Sequence, residues 1–237
     1  MTAPGALPRQ PSFLLLVASI FTGCLIVSNI VAVKIADFSG VSGPIPDYFL
    51  PAAVVVFPVS YIIGDILTEV YGYRAARRVI WSAFIANAIA VVAIVAAQHV
   101  PAAPFWKDQS AYDAILGQTW RIVAASFAAF LVGEFANSAV LARMKILTEG
   151  RFLWTRTIGS TIVGEGLDSA IFITIAFAGV TGIELWPLIW KQWLFKSLFE
   201  VVATPFTYAA VIALKRLEGI DTYDRGTDFN PIAVWQD

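Results

Sequence analysis

Most of the acidic residues that could do chemistry here fall inside apolar stretches, at helical spacing. Phe57, Tyr61, Asp65 and Glu69 are four apart and so form one helical stripe, rings toward one end and carboxylates toward the other. Glu134 and Asn137 are three apart, with Ser138 adjacent. Thr161, Glu165, Asp168 and Ser169 share a face of a later stretch, and Gln192, Lys196 and Glu200 are again four apart beside Trp193. Ser28 and Asn29 add a hydroxyl and an amide near the start. A charge at a bilayer centre costs roughly 2.5–3.5 kcal/mol on insertion scales, so it persists where it meets a cavity or a partner. The six acids Asp65, Glu69, Glu134, Glu165, Asp168 and Glu200 face one deep base, Lys196. Full ionisation would leave an excess of about five negative charges, which desolvation disfavours. Such an interior suits a ligand rich in N–H groups, or a cation, and suits a phosphate or carboxylate poorly. Structural roles compete at several positions. Glu69 could pair with Arg74 or Arg77, Lys196 with Glu200 on its own helix or with an acid of the preceding stretch, and Glu134 or Asn29 could serve as hydrogen-bonding glue between helices.

The elements that must carry these residues follow from composition. Hydrophobic residues make up 58% of the 237-residue chain and charged residues 14%, with mean hydropathy +0.74. A soluble domain carries about 25% charge, so the reading is an all-α integral membrane protein. Six stretches are long enough to span a bilayer: Phe13–Ala36, Phe49–Tyr71, Val79–Gln98, Arg121–Leu141, Thr157–Gly179 and Trp186–Leu214. Pro51 and Pro58 mark the second as irregular near its start, and Pro205 could kink the last. The first is too long, and lacks the cleavage site, to be a cleaved signal. Eleven of the sixteen basic residues fall at one end of these spans and four at the other, with Lys34 among the four and expected to snorkel to the interface. The positive-inside rule then places both termini in the cytoplasm. Residues 1–12 and 216–237 read as cytoplasmic tails around a membrane domain over 13–215. Segment 99–118 reads as an interfacial linker with aromatic anchors, a cap over a cavity being the alternative.

The same counts exclude function classes. Net charge is −1, which gives no bulk attraction to nucleic acid. Cys24 is the only cysteine and His99 the only histidine, so an internal disulfide framework, a Cys/His zinc cluster and most hydrolase triads are out of reach. No cofactor or metal is expected. An intramembrane enzyme would have to work through paired acids such as Glu165 and Asp168. Ser60-Tyr61-Ile62-Ile63-Gly64-Asp65 parallels Ser160-Thr161-Ile162-Val163-Gly164-Glu165, and Leu131-Val132-Gly133-Glu134 is a third version. Two three-helix halves would face opposite ways in the membrane, the plan of many transporters with a midplane site.

Asn29-Ile30-Val31-Ala32-Val33-Lys34, Phe57-Pro58-Val59-Ser60-Tyr61 through Asp65, Glu69 and Tyr71-Gly72, Gly133-Glu134 with Asn137-Ser138, Gly164-Glu165 with Asp168-Ser169, and Lys196 occur in that order. Together they resemble the queuosine precursor transporter family, also called the vitamin uptake transporter family, over about residues 13–215. The resemblance implies an inner-membrane importer of 7-cyano- and 7-aminomethyl-7-deazaguanine. It also implies an arrangement similar to the substrate-binding subunits of energy-coupling-factor transporters, working without an ATPase. A carboxylate of Glu134, Glu165 or Asp168 could accept the ring N–H and exocyclic amine of such a base. Asn29 or Asn137 could meet its carbonyl edge, and Tyr61, Phe57 or Trp193 could stack on its face. Lys196 and Asp65 complete the expected binding set, with Glu69, Gln192 and Glu200 at its margin. The expected partners are the small-molecule base and the lipid bilayer, with a homodimer possible. The alternative is a binding subunit of an ATP-driven vitamin or nucleobase uptake system, docked through small residues at Ser19 and Gly23.

Overall fold

A computed structural model of the chain describes residues 13–40, 49–117, 120–179, 181 and 184–234. The expected tail over residues 1–12 lies outside the described residues, as do residues 235–237 of the second tail. Apolar runs become helices because a helix satisfies its backbone polar groups within one segment. In chain order the elements are α1 (Leu14–Val31), β1 (Ile35–Asp37), β2 (Phe49–Pro51), a 3-10 turn (Ala52–Val55), α2 (Phe57–Ile66) and a π turn (Leu67–Tyr71). α3 (Tyr73–His99), α4 (Gln109–Leu116), α5 (Trp120–Leu147), α6 (Leu153–Phe177) and α7 (Leu185–Glu218) follow. Five of these stretches are long and apolar enough to cross a membrane: α1, α3, the α4–α5 run, α6 and α7. The chain is a multi-pass membrane protein.

The second apolar stretch departs from the expected single helix. Phe49–Pro51 pairs antiparallel with Ile35–Asp37, Ile35 opposite Pro51 and Asp37 opposite Phe49. Pro51 cannot donate to a ladder, so it closes the strand, and Pro58 stands in the first turn of α2, where its missing N–H costs nothing. The ten residues of α2 and five of the π turn reach roughly 22 Å, short of the ~30 Å hydrocarbon core. Gly72 ends the π turn at φ +83, and a Cβ there would lie 2.6 Å from Thr222 Cγ2, so only glycine serves.

α5 and α6 make the most extensive helix contact, and glycines explain how. A Cβ on Gly164 would lie 2.7 Å from Asn137 Cβ and 2.9 Å from the Gly133 carbonyl oxygen. A Cβ on Gly133 would lie 2.9 Å from Asp168 Cβ. On the other flank of α5, a Cβ on Gly64 would overlap Glu134 Oε1. The three glycine–acid segments of the repeat therefore meet, with α2 and α6 closing on α5. Phe21 and Leu25 of α1, Ile63 and Ile66 of α2, Ile80 and Ala83 of α3 and Phe130 of α5 form the apolar core beside this contact.

The two ends differ. α7 stops at Gly219 (φ +67), and the polar segment after it is fastened to the bundle. Both Asp224 carboxylate oxygens accept from the Tyr73 backbone N–H, at 3.0 and 3.1 Å, capping α3. Arg77 donates to the carbonyls of Asp228 and Asn230, and Trp81 Nε1 to that of Pro231 at 2.8 Å. The Phe13 backbone N–H donates to Glu218 Oε1 at 2.6 Å, so the start of α1 and the end of α7 share this end. At the opposite end lie the β1–β2 hairpin and α4, and Arg121 donates to the carbonyls of Ile175 and Ala178 past the last turn of α6.

Candidate functional site

A cavity of about 370 Å³ lies in the half of the bundle nearer the hairpin, within the roughly 300–1,000 Å³ usual for small-molecule sites. Ile35, Pro51, Ala53 and Val54 from the hairpin and 3-10 turn, with Ala114 and Gly117 at the end of α4, close its outer side. Segment 99–118 thus reaches the cavity through Ala114 and Gly117. Phe57, Phe130, Phe172 and Phe177 give it aromatic walls, and Ser28, Asn29, Asn87, Ser126, Asp168, Gln192 and Lys196 give it polar ones. Asn29 Nδ2 donates to Asn87 Oδ1 at 3.1 Å, which joins α1 to α3 at the cavity wall. Lys196 Nζ bonds Asp168 Oδ2 at 2.5 Å and Glu165 Oε2 at 2.7 Å. Its ammonium also lies 4.5 Å from the centre of the Phe57 ring, close enough for a cation–π attraction. Flat walls, three amides and an ion pair can hold a planar polar molecule by stacking and by its edge.

Below the cavity is a layer of buried polar side chains. Asp65, Glu134, Asn137, Glu165 and Glu200 are each 2% exposed or less. Asn137 Nδ2 donates to Asp65 Oδ1 at 2.7 Å, and Thr68 donates to Ser138 Oγ at 3.1 Å. Tyr61 packs against Phe57 with ring centres 5.5 Å apart and planes tilted by 44°, and its hydroxyl, like Asp168, lies against Gly133, the residue before Glu134.

A third layer closes the far end. Glu69 Oε1 accepts from Arg156 at 2.9 Å and from Lys215 at 2.7 Å, with Lys145 3.5 Å away. Asp221, just past α7, bridges Lys145 at 2.6 Å and Lys215 at 2.8 Å. Burial pushes the Asp221 carboxyl up, but the two ammonium groups outweigh it and hold it below its ordinary value. Positions along one helix order the layers. On α5, Phe130 is at the cavity, Glu134 in the acid layer and Lys145 in the ion cluster. The eleven-residue step from Glu134 to Lys145 is roughly 16 Å of helix.

Of the residues singled out from sequence, the structure brings Asn29, Phe57, Asp168, Gln192 and Lys196 to the cavity wall. Glu165 joins them through Lys196. Tyr61, Asp65, Glu134, Asn137 and Glu200 lie in the layer beneath. Glu69 is held by Arg156 and Lys215, in place of the Arg74 or Arg77 considered from sequence. Lys196 pairs across to α6, in place of Glu200 on its own helix. Trp193 faces away from the cavity, its Nε1 donating to the Ile162 carbonyl at 3.0 Å. Asn87 was missed, although it is the one amide between Ile80 and Val95, and a lone amide in an apolar run is a usable signal. The phenylalanines of α5 and α6 carry no such signal.

The family model described as "Putative vitamin uptake transporter" matches residues 51–210. A protein of Bacillus subtilis (strain 168) named "Probable queuosine precursor transporter" is 26% identical over 189 residues, 78% of this chain and 79% of its own. A Haemophilus influenzae protein of the same name is 24% identical over 172 residues, 70% of this chain and 71% of its own. No solved structure matches the chain. The matched region runs from the end of the hairpin to α7 and so carries most of the cavity, the acid layer and Glu69, Lys145 and Arg156 of the ion cluster; with a bundle of membrane-spanning helices around a cavity, this chain belongs to the vitamin uptake transporter family and is a transporter.

Proposed function

We propose that the chain imports 7-deazaguanine precursors of queuosine across a bacterial inner membrane, as a secondary carrier or facilitator that holds the base in the cavity. The observation that carries this reading is the pairing of phenylalanine walls with amides and a carboxylate in one cavity. Asp168 accepts the ring N–H and exocyclic amine, in competition with Lys196. Asn29, Asn87 and Gln192 meet the carbonyl edge, and Phe57 stacks on the ring face. The cationic aminomethyl form gains from Glu165 once Lys196 is displaced. α2, lengthened by the 3-10 turn and hairpin, completes six crossings in two inverted three-helix halves, with both termini cytoplasmic. The Phe13–Glu218 bond supports the even count. The names of the two relatives support the substrate class.

Vesicles containing this protein alone, correctly inserted, are expected to accumulate or exchange labelled 7-deazaguanine precursor, and Asn87→Ala is expected to weaken that uptake. Vesicles that never take it up would sink the proposal. One observation favours the alternative of an ATP-driven binding subunit. The face of α1 bearing Ser19 and Gly23 is open, and a Cβ on Gly23 would touch nothing within 4 Å. Copurification with an ATPase and ATP-dependent uptake would decide for it.

A further inference from the structure

The acid layer contains acceptors without donors. Asp65 Oδ2, Glu134 Oε1, Asn137 Oδ1 and Glu200 Oε1 are buried and have no hydrogen-bond partner, and the Tyr61 hydroxyl beside Glu134 is likewise unpartnered. Buried polar groups are rarely left unpaired. What the carboxylate and amide oxygens of this set lack is hydrogen, more than the one Tyr61 hydroxyl could give, and a proton turns a carboxylate from a pure acceptor into a donor. The charge balance points the same way. Asp65, Glu134, Glu165, Asp168 and Glu200 share one ammonium, Lys196, already bound to two of them. An isolated ionised carboxylate in such surroundings costs several kcal/mol. Among the described residues no acidic group has the make-up of a metal site, so a proton fits better than a metal ion.

Glu134 is the member whose neutralisation has a mechanical consequence. Its Oε1 lies against Gly64, at the contact where α2 closes on α5. The groups around it are known from every packed element. α2 brings Tyr61 and Asp65, α6 brings Glu165 and Asp168, and α7 brings Lys196, paired with both; Glu200 and Glu69, the latter in its clamp of bases, lie nearer Asp65. α1 brings Phe21, and α3 carries its charges, Arg74, Arg77, Arg78 and His99, near its two ends. No cation in this set is free to pair with Glu134.

We propose that Glu134 is a proton-carrying site. It is neutral while α2 and α6 are closed on α5, and it ionises when that contact opens to the cytoplasm, so that each transport cycle moves a proton inward with the substrate. The proton arrives from the cavity side, where Asp168 lies, and leaves on the side of Asp65. Only the transport half rests on the carrier reading above.

Infrared difference spectra of the purified protein at neutral pH test the site without any substrate. The carbonyl stretch of a protonated carboxyl group is expected in the wild type, lost in part in Glu134→Gln and retained in Glu69→Gln. A wild-type band that Glu134→Gln leaves intact overturns the proposal. In vesicles, uptake of 7-cyano-7-deazaguanine by the wild type is expected to rise when the outside is made acidic, and Glu134→Gln to lose that rise. A gradient response absent from the wild type, or undiminished in Glu134→Gln, also overturns it. Vesicles that take up no deazaguanine at all would count against the substrate assignment, and the infrared result would still decide whether Glu134 holds the proton.

Discussion

Lys196 sits at the boundary between cavity and acid layer, 4% exposed, with its ammonium against Glu165 and Asp168. Removing one partner of a buried ion pair costs about 3–5 kcal/mol because the remaining charge is left uncompensated. Here two carboxylates would be left facing each other. Lys196→Met is therefore expected to lower the melting temperature sharply and to abolish substrate-induced stabilisation, whereas Asp168→Asn, which leaves Lys196 its pair with Glu165, should be milder in stability and still severe in binding. Thermal unfolding with and without 7-deazaguanines checks both, and a Lys196→Met protein as stable as wild type would contradict the assigned pairing. Residue types at this site were legible in the sequence, because an ion in an apolar run is conspicuous. Partners were not. Glu200 lies one turn from Lys196 on the same helix, while Glu165 and Asp168 reach it only through the packing of α6 on α7. Phe130, Phe172 and Phe177 were illegible, since a ring facing a cavity and a ring facing lipid look alike in a sequence.

At the scale of elements, the three glycine–acid segments explain why α2, α5 and α6 can bring carboxylates into one layer. An alanine at Gly164 meets Asn137 Cβ and the Gly133 carbonyl, neither of which can swing away. Gly164→Ala should force α5 and α6 apart at a cost of about 1–3 kcal/mol, the range for overpacking. Gly166→Ala on the same helix meets only Trp193, at an ordinary 3.5 Å, and should be neutral or slightly stabilising. Denaturation midpoints of the pair check this, and equal midpoints would refute the close crossing. The repeat hinted at these contacts. Pro51 and Pro58 mark the irregular start of the second stretch, but nothing in the sequence shows that Phe49–Pro51 would pair as a strand with Ile35–Asp37.

The segment after α7 also belongs to this scale. Its polar composition predicts a cytoplasmic tail, yet Asp221, Asp224 and the carbonyls of Asp228, Asn230 and Pro231 all have partners on the bundle. Asp221 ionises below the ordinary carboxylate range when folded. Its contribution is therefore full above about pH 4 and is lost as pH falls through the lower folded value. Protease protection of residues 219–234 should show an acid-induced release step that Asp221→Asn lacks, the variant holding the segment more weakly already at neutral pH. Identical protection profiles would mean that the bridge to Lys145 and Lys215 does not hold the segment.

For the whole molecule, the two ends differ in charge and architecture, and that difference predicts one orientation. The ion cluster, the fastened C-terminal segment and the Phe13–Glu218 bond mark one end, which also carries most of the basic residues counted in the sequence. The hairpin, α4 and the cavity mark the other. Insertion follows the Lys and Arg bias of short loops, so the cavity end should face outward and the ion cluster the cytoplasm. Two exposed positions report on the two ends: Ser110 in α4 and Arg151 between α5 and α6. In a Cys24→Ser background, Ser110→Cys should react with a membrane-impermeant thiol reagent on intact cells, and Arg151→Cys only after the membrane is opened. In that orientation the state seen here, with Glu69 and its three bases closing the far end, would load from outside. Labelling of Arg151→Cys and not Ser110→Cys on intact cells would reverse the molecule, and the same cavity would then be loaded from the cytoplasm and serve export.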